Sequence, residues 1–333
     1  MKLIPQQPPH IRHSDSNKSI MGDILIAMTG LFFMAAYFYG FRAIAIGLTA
    51  VSTCIAAQIF CDLLMGRELN MRDWSPIVTG MIIALMMPAT ISLKIVISVC
   101  MFAILIAKAP FGGTGENLFN PAAAGLAFGT LCWNTEMFSY PLPLHTLPML
   151  INDTVKLAQN PAAVLKLGGI PSYTMSELLF GNVPGPMGAT NILVIVACLI
   201  FLIARKSVKW YLPVSFISAV SIMAFLFPRA SITRFGSVAF ELFSGSLLFA
   251  CVFMLSDPVT SPKRDIGRIF YGIAGGITAM CVRYFGVYAQ GICFALLLVN
   301  ALAPIFDQLC ERIYAMKRRD LREFKFTFGK ALR

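Results

Sequence analysis

Glycines at 112, 113 and 115, a carboxylate at Glu116, amides at Asn117 and Asn120 and a proline at Pro121 fall within one short run, FGGTGENLFNP, between two strongly apolar stretches. Such groups offer hydrogen bonds and one negative charge to a polar solute or a cation, and they hold no nucleophile–base pair. Irregular backbone is tolerated at membrane depth only where protein buries it or a polar cavity is lined by it. An amide or carboxylate beside lipid is costly without a partner. Gly112, Gly113, Glu116, Asn117, Asn120 and Pro121 are therefore read as a polar site inside a membrane protein. Glu241, in VAFELFSG, is a second candidate, either lining an ion path or paired with Arg234 at the interface. Asp23, Asp62, Asp257 and Asp307 stand at the ends of apolar stretches, where solvated or paired carboxylates are ordinary.

Other chemistries find little support. The nine cysteines are scattered without a CxxC or a Cys/His cluster, so zinc, iron–sulfur and disulfide frameworks are poor readings. His10, His13 and His145 lie in polar segments, which disfavours an intramembrane haem. No metal ligand set, P-loop or GxGxxG context is present, and no residue is assigned a catalytic role.

The elements that must position the polar run follow from composition. Of 333 residues, 57% are hydrophobic and 13% charged, too apolar for a soluble domain. The apolar residues come in blocks long enough to cross about 30 Å of hydrocarbon. An all-α polytopic membrane protein is expected, with ten spans near 23–40, 43–64, 75–88, 91–109, 118–133, 191–204, 210–228, 238–256, 266–285 and 288–308, the third and sixth short. The polar, proline-bearing start predicts no cleavable signal peptide. Residues 1–22 then form an N-terminal segment, 23–133 a first set of five spans, 134–190 a long connection with a helix near Pro161–Leu167, 191–308 a second set, and 309–333 a basic tail.

The net charge of +11 reflects loop lysines and arginines, not a nucleic-acid surface. With the N-terminus cytoplasmic, 20 of the 27 Lys and Arg residues fall on the inner side, which predicts both termini inside and the 134–190 connection outside. Lys317-Arg318-Arg319 serves the same orientation, with anionic lipid or an acidic partner as a second use. The two halves echo each other at an offset of about 165–175 residues, as in Thr79-Gly80 with Ser244-Gly245 and Phe111-Gly112 with Phe285-Gly286. Five spans per half would invert the second repeat and place a site between the halves. Pro121, Gly125 and Gly129, and again Gly272 and Gly276, put small residues on one helix face for close packing.

Several further motifs stand in order along the chain: SPIVTGMIIALMMP (Ser75–Pro88), FGGTGENLFNPA (Phe111–Ala122), GNVPGPMGATN (Gly181–Asn191), SDPVTSP (Ser256–Pro262) and YAQGICFALLLVNALAPIFD (Tyr288–Asp307). On these the chain resembles the RnfD/NqrB family, the large membrane subunits of the Rnf and Na⁺-pumping NADH:quinone oxidoreductase complexes, and its length is more like RnfD. The resemblance implies ten helices in two inverted five-helix repeats, similar to urea transporters. It also implies a place among other Rnf-type subunits in a cell membrane, with flavin-mediated electron transfer between ferredoxin and NAD coupled to Na⁺ or H⁺ movement. A flavin, FMN or riboflavin, is the implied cofactor, a riboflavin being expected among aromatic rings and amides. In the family an FMN phosphate is esterified to a threonine of an outer loop. The matching positions here are Asp153, Ala158 and Gln159, and Gln159 has no hydroxyl, so covalent FMN is not expected. Thr190 is the nearby fallback hydroxyl, although its surroundings mark it as a helix start. Two other readings remain open: a solute or ion transporter with the same repeats and no redox role, and a flavin-free structural paralogue.

Overall fold

A computed structural model describes residues 17–67, 73–113, 115–144, 147, 155–229 and 233–331, with side chains from 18 to 315. Helices α1 (Asn17–Tyr39), α2 (Phe41–Leu64), α3 (Ser75–Met86), α4 (Leu93–Leu105) and α5 (Pro121–Cys132) make up the first half, with a 3-10 turn at Ala109–Phe111. The connection carries α6 (Asn134–Met137), strands β1 (Tyr140–Pro141) and β2 (Leu157–Ala158) paired antiparallel, α7 (Pro161–Lys166) and α8 (Met175–Phe180). Helices α9 (Ile192–Ala204), α10 (Tyr211–Leu226), α11 (Arg234–Phe243), α12 (Leu247–Ala250), α13 (Asp265–Phe285) and α14 (Ile292–Ala331) form the second half, and α12 runs on as a π-helix, Cys251–Leu255.

The chain is a multi-pass membrane protein. Four segments are long and apolar enough to cross a bilayer, Lys18–Tyr39, Phe41–Leu64, Leu93–Phe111 and Ile292–Ala315. On α1 and α2 the outward Phe33, Phe41 and Leu48 are exposed while Met28, Leu31, Ala35 and Ile46 are buried. A helix apolar on every face needs an apolar solvent on its outer side. The third and sixth expected spans, α3 and α9, have 12 and 13 residues. One expectation is corrected. Residues 238–256 are not one continuous span, because α11 and α12 meet at a 61° bend over Ser244–Ser246. Gly245, at φ +77°, takes the left-handed conformation that this corner needs.

In the first half α2 packs on α3 and α4, and α4 on α5; in the second α10 packs on α11 and α13, and α13 on α14. The halves meet through α1 against α9 and α5 against α14. Small residues set these distances. A Cβ on Gly276 would lie 2.7 Å from Ala219 Cβ and 2.8 Å from the Phe216 carbonyl oxygen, and one on Gly125 2.9 Å from the Val99 carbonyl oxygen. Gly276→Leu is expected to pry α13 from α10 at about 1–3 kcal/mol, read as a fall of several degrees in detergent melting temperature. An unchanged melting temperature would contradict that close approach.

Two faces result. One, the tail face, holds Asp23 of α1 bound to Arg205 at 3.2 Å and Ser207 at 2.5 Å, together with the 106–120 and 256–264 loops. The opposite, loop face carries the connection. There Leu144 N–H donates to the Phe38 carbonyl at 3.1 Å, and Phe138, Tyr288 and Phe294 stack in series. Lys166 donates to the Gly286 carbonyl at 2.7 Å and also to that of Val287, fastening α7 to the end of α13. Burial and the neighbouring Arg229 push its ammonium below the usual lysine value. In α8 the N–H and hydroxyl of Thr174 donate to Glu177 at 2.7 and 2.8 Å and hold its carboxyl below the usual range.

Candidate functional site

The polar run turns on three glycines at positive φ, Gly112 (+114°), Gly113 (+96°) and Gly115 (+104°), where an L side chain would be strained. The turn delivers Asn120 to the start of α5. Its Oδ1 accepts from Ala122 N–H at 3.0 Å and Ala123 N–H at 3.2 Å, capping the helix that Pro121 opens. Its Nδ2 donates across to the Met254 carbonyl at 3.2 Å, in the π-helix of the other half. With the Asn300 amide turned to satisfy its neighbours, Asn300 Oδ1 accepts Asn120 N–H at 2.9 Å and its Nδ2 reaches the Leu296 carbonyl at 3.3 Å and the Tyr271 hydroxyl. Asn120 thus joins α5, the π-helix and α14.

The π-helix ends in SDPVTSP. Ser256 Oγ donates to the Cys251 carbonyl at 2.9 Å, and Asp257 folds the turn by accepting Val259 N–H at 3.1 Å and Thr260 Oγ at 3.4 Å. Asp307 of α14 accepts the backbone N–H groups of Lys263 and Arg264 at 3.1 and 3.4 Å. Between this turn, the glycine loop and α14 lies a cavity of about 720 Å³ opening on the tail face, with Glu116, Asn117, Thr260, Asn300 and Gln308 in its wall. Behind it a hollow of about 30 Å³ is lined by Ser75, Thr79, Asn117, Asn120 and Asp257 among apolar side chains. Asn117 belongs to both walls. It is 9% exposed, and its Oδ1 has no hydrogen-bond partner. A buried orphan acceptor is expensive, and here it points to a polar occupant. All polar groups of the hollow present hard oxygen or amide atoms, the ligand type suited to a small hard cation or a proton-carrying water.

The structure gathers Gly112, Gly113, Asn117, Asn120 and Pro121 at this place. Glu116 is exposed and stands in the wall of the tail-face cavity. Two members of the site were passed over in the sequence: Asp257, read as an ordinary span end, and Asn300, an amide within an apolar run. Neither carries a local signal of its partners.

Glu241 lies elsewhere, on the loop face, and its partner is not Arg234. Its carboxylate pairs with Arg229 at 2.7 Å and Arg283 at 3.1 Å and is 1% exposed. Arg283 also donates to the Glu241 carbonyl at 2.6 Å and to the Ser244 carbonyl and hydroxyl at 2.8 Å each, so it supplies the bonds missing at the bend. Two guanidiniums neutralise this acid and leave it little attraction for a passing cation.

The flavin positions of the connection fall on the loop face. Ala158 pairs with Tyr140, Gln159 is exposed, and Asp153 lies outside the described residues. The helix start expected at Thr190 belongs to its neighbour: Asn191 accepts Val194 N–H at 3.1 Å as the cap of α9. Thr190 is 5% exposed with its hydroxyl unpartnered, and it packs with Asn160 over Gly185.

Comparison with known proteins agrees with these motifs. The family described as NQR2, RnfD, RnfE matches residues 4–315. The D component of the Na⁺-translocating ferredoxin:NAD⁺ oxidoreductase complex of Acetobacterium woodii is 30% identical, over 96% of this chain and 97% of the relative. Its counterpart in the proton-translocating ferredoxin:NAD⁺ oxidoreductase complex of Clostridium ljungdahlii is 27% identical over 93% and 95%. The D component of the ion-translocating oxidoreductase complex of Halorhodospira halophila is 26% identical over the same shares. With a match over nearly its whole length, the chain belongs to the NQR2, RnfD, RnfE family.

Proposed function

We propose that the chain is the membrane subunit of an Rnf-type complex, in which electron flow between ferredoxin and NAD⁺ moves Na⁺ or H⁺ across the cell membrane, alongside other Rnf-type subunits. The observation that carries the reading is the tail-face cavity ending in an oxygen-lined hollow between the two halves, in a chain of this family. The ten helical segments are two inverted repeats. Support comes from the matching packing of α2–α5 and α10–α14, and from the crossings of α1 with α9 and α5 with α14. The tail face is cytoplasmic by the count of Lys and Arg, with both termini on that side.

A flavin is the implied cofactor. The cavity has the volume of a small-molecule site and a buried acceptor at Asn117 awaiting a donor. Among the described residues its wall has amides but no aromatic ring, so the aromatic surroundings expected from the sequence do not apply there. Asn117, Thr260, Asn300 and Gln308 would hold the group, which supplies one- and two-electron transfer when bound. These side chains orient it by hydrogen bonds, while Asp307 keeps the 259–264 turn in place. A covalent FMN at Gln159 is not proposed, since an amide forms no phosphoester and Thr190 is enclosed.

The test is the purified complex in inverted vesicles, given reduced ferredoxin and NAD⁺. Ion uptake that depends on both is expected. Solute uptake by this protein alone, without an electron donor, would favour the transporter reading. Asn117→Leu is expected to lower the flavin-to-protein ratio of the washed complex about tenfold, the scale of one good buried hydrogen bond. Full flavin retention would remove Asn117 from that site, and flavin fluorescence on the acid-precipitated chain would restore the covalent link.

A further inference from the structure

Of the buried cations Arg42, Lys108 and Arg283, the last two close the helix bundle at opposite faces, and they are built differently. On the loop face Arg283, at the end of α13, is fixed by two backbone carbonyls, the Ser244 hydroxyl and the Glu241 carboxylate. At the corresponding place on the tail face stands Lys108, just beyond α4, with no exposed surface. Its Nζ donates to Ser75 Oγ at 3.0 Å and pairs with Asp73 at 3.6 Å. Cation, acid and serine recur, with Asp73 and Ser75 at the start of α3 in the first half and Glu241 and Ser244 at the end of α11 in the second. The tail-face version has the longer ion pair and binds through a hydroxyl, where Arg283 is anchored to backbone.

Position adds meaning to that looseness. Ser75, which Lys108 holds, lines the 30 Å³ hollow together with Asp257 and with Asn117, whose Oδ1 lacks a partner. The charged groups facing Lys108 are Asp73 from the chain before α3, Asp62 from α2 and Asp257 from the turn after the π-helix. A buried ammonium must keep an acid close. A second cation entering the hollow would meet its repulsion, weakly screened at such depth. An ammonium on a flexible four-carbon stem can yield where a multiply bonded guanidinium cannot.

We infer that Lys108, held on Asp73 and Ser75 at the edge of the hollow, is a tethered cation whose charge weakens the hollow's hold on a transported ion and helps to expel it. This deepens the translocation reading and rests on it. Lys108 thereby sets the affinity of the hollow low enough for release, while the rigid Arg283 cluster keeps the other face shut. No bond is made or broken; charge neutrality passes between a mobile ion and a fixed side chain.

The test uses the whole complex in vesicles, driven by reduced ferredoxin and NAD⁺. The ion that the wild-type complex moves is identified first, by ²²Na⁺ uptake or by a pH-sensitive dye, and its half-saturating concentration is the readout. K108Q is expected to lower that concentration about tenfold and to slow maximal uptake, because release is no longer assisted. K108R keeps the charge, so its half-saturating concentration should stay near wild type, while the stiffer guanidinium slows maximal uptake. D73N removes the parking partner, drives the ammonium toward the hollow and should raise the half-saturating concentration severalfold. Assembly is checked by co-purification of the other Rnf-type proteins. An unchanged or raised value in assembled K108Q overturns the inference. If K108Q fails to assemble, D73N decides, and an unchanged value there overturns it equally. A wild-type complex that moves no ion during electron transfer would instead overturn the translocation reading, a result separable from both.

Discussion

Asp257→Asn is expected to raise the concentration of ion needed for half-maximal uptake by about a thousandfold while the protein still assembles into its complex. Among the described residues around the hollow, Asp257 supplies the one carboxylate. A cation about 4 Å from a carboxylate gains about 4 kcal/mol at the effective dielectric of protein sites, which is roughly three decades in affinity. The fold should survive the change. An asparagine keeps the oxygen that accepts Val259 N–H at 3.1 Å and gives up only the weak bond from Thr260 at 3.4 Å. Uptake measured against ion concentration in vesicles reads the effect. A half-saturating concentration within threefold of wild type would mean that the ion passes elsewhere.

Arg283→Met should be the most damaging single change to stability. It leaves the Glu241 and Ser244 carbonyls and the Ser244 hydroxyl without their donor, and it leaves a buried acid with Arg229 alone. Breaking one partner of a buried pair costs about 3–5 kcal/mol, so the protein should melt many degrees lower in detergent and be depleted from the assembled complex. The double variant Arg283→Met, Glu241→Gln should recover part of the loss, because it removes the stranded charge, and the difference between single and double variants measures the coupling. If Arg283→Met melts within a degree of wild type, the loop-face cluster does not hold the bend.

Much of the scaffold was legible because a bilayer imposes one strong rule, that apolar blocks of sufficient length become helices. The short α3 and α9 and the glycine-faced packing of α13 on α10 all follow from runs of residue types. The 61° corner did not. Residues 238–256 are apolar without interruption except at Glu241, the serines and Gly245, and what stabilises a break there is Arg283, about 40 residues away. The same limit hid the site. FGGTGENLFNP advertised itself by composition, yet the partners of Asn120 are Met254 and Asn300. Lys108 counted in the sequence only as a loop charge, and nothing near it in the chain shows that it ends fully buried beside Ser75. Glu241 was visible as an unusual acid, but the choice between Arg234 and the true pair, Arg229 and Arg283, is made by the packing of α10, α11 and α13.

The π-helix at Cys251–Leu255 fixes the rotational phase of everything after it. In an α-helix each residue advances about 100°, and a turn closed over five residues in place of four holds one residue of slack. The apolar side chains in this segment look interchangeable to a hydropathy count. Removing any one of them would leave the segment almost as apolar and would let it close as ordinary α-helix, taking up that slack and narrowing the turn that faces Asn120. The Met254 carbonyl would then lose its place opposite Asn120, so a deletion invisible to composition would loosen the two halves at the point where they meet.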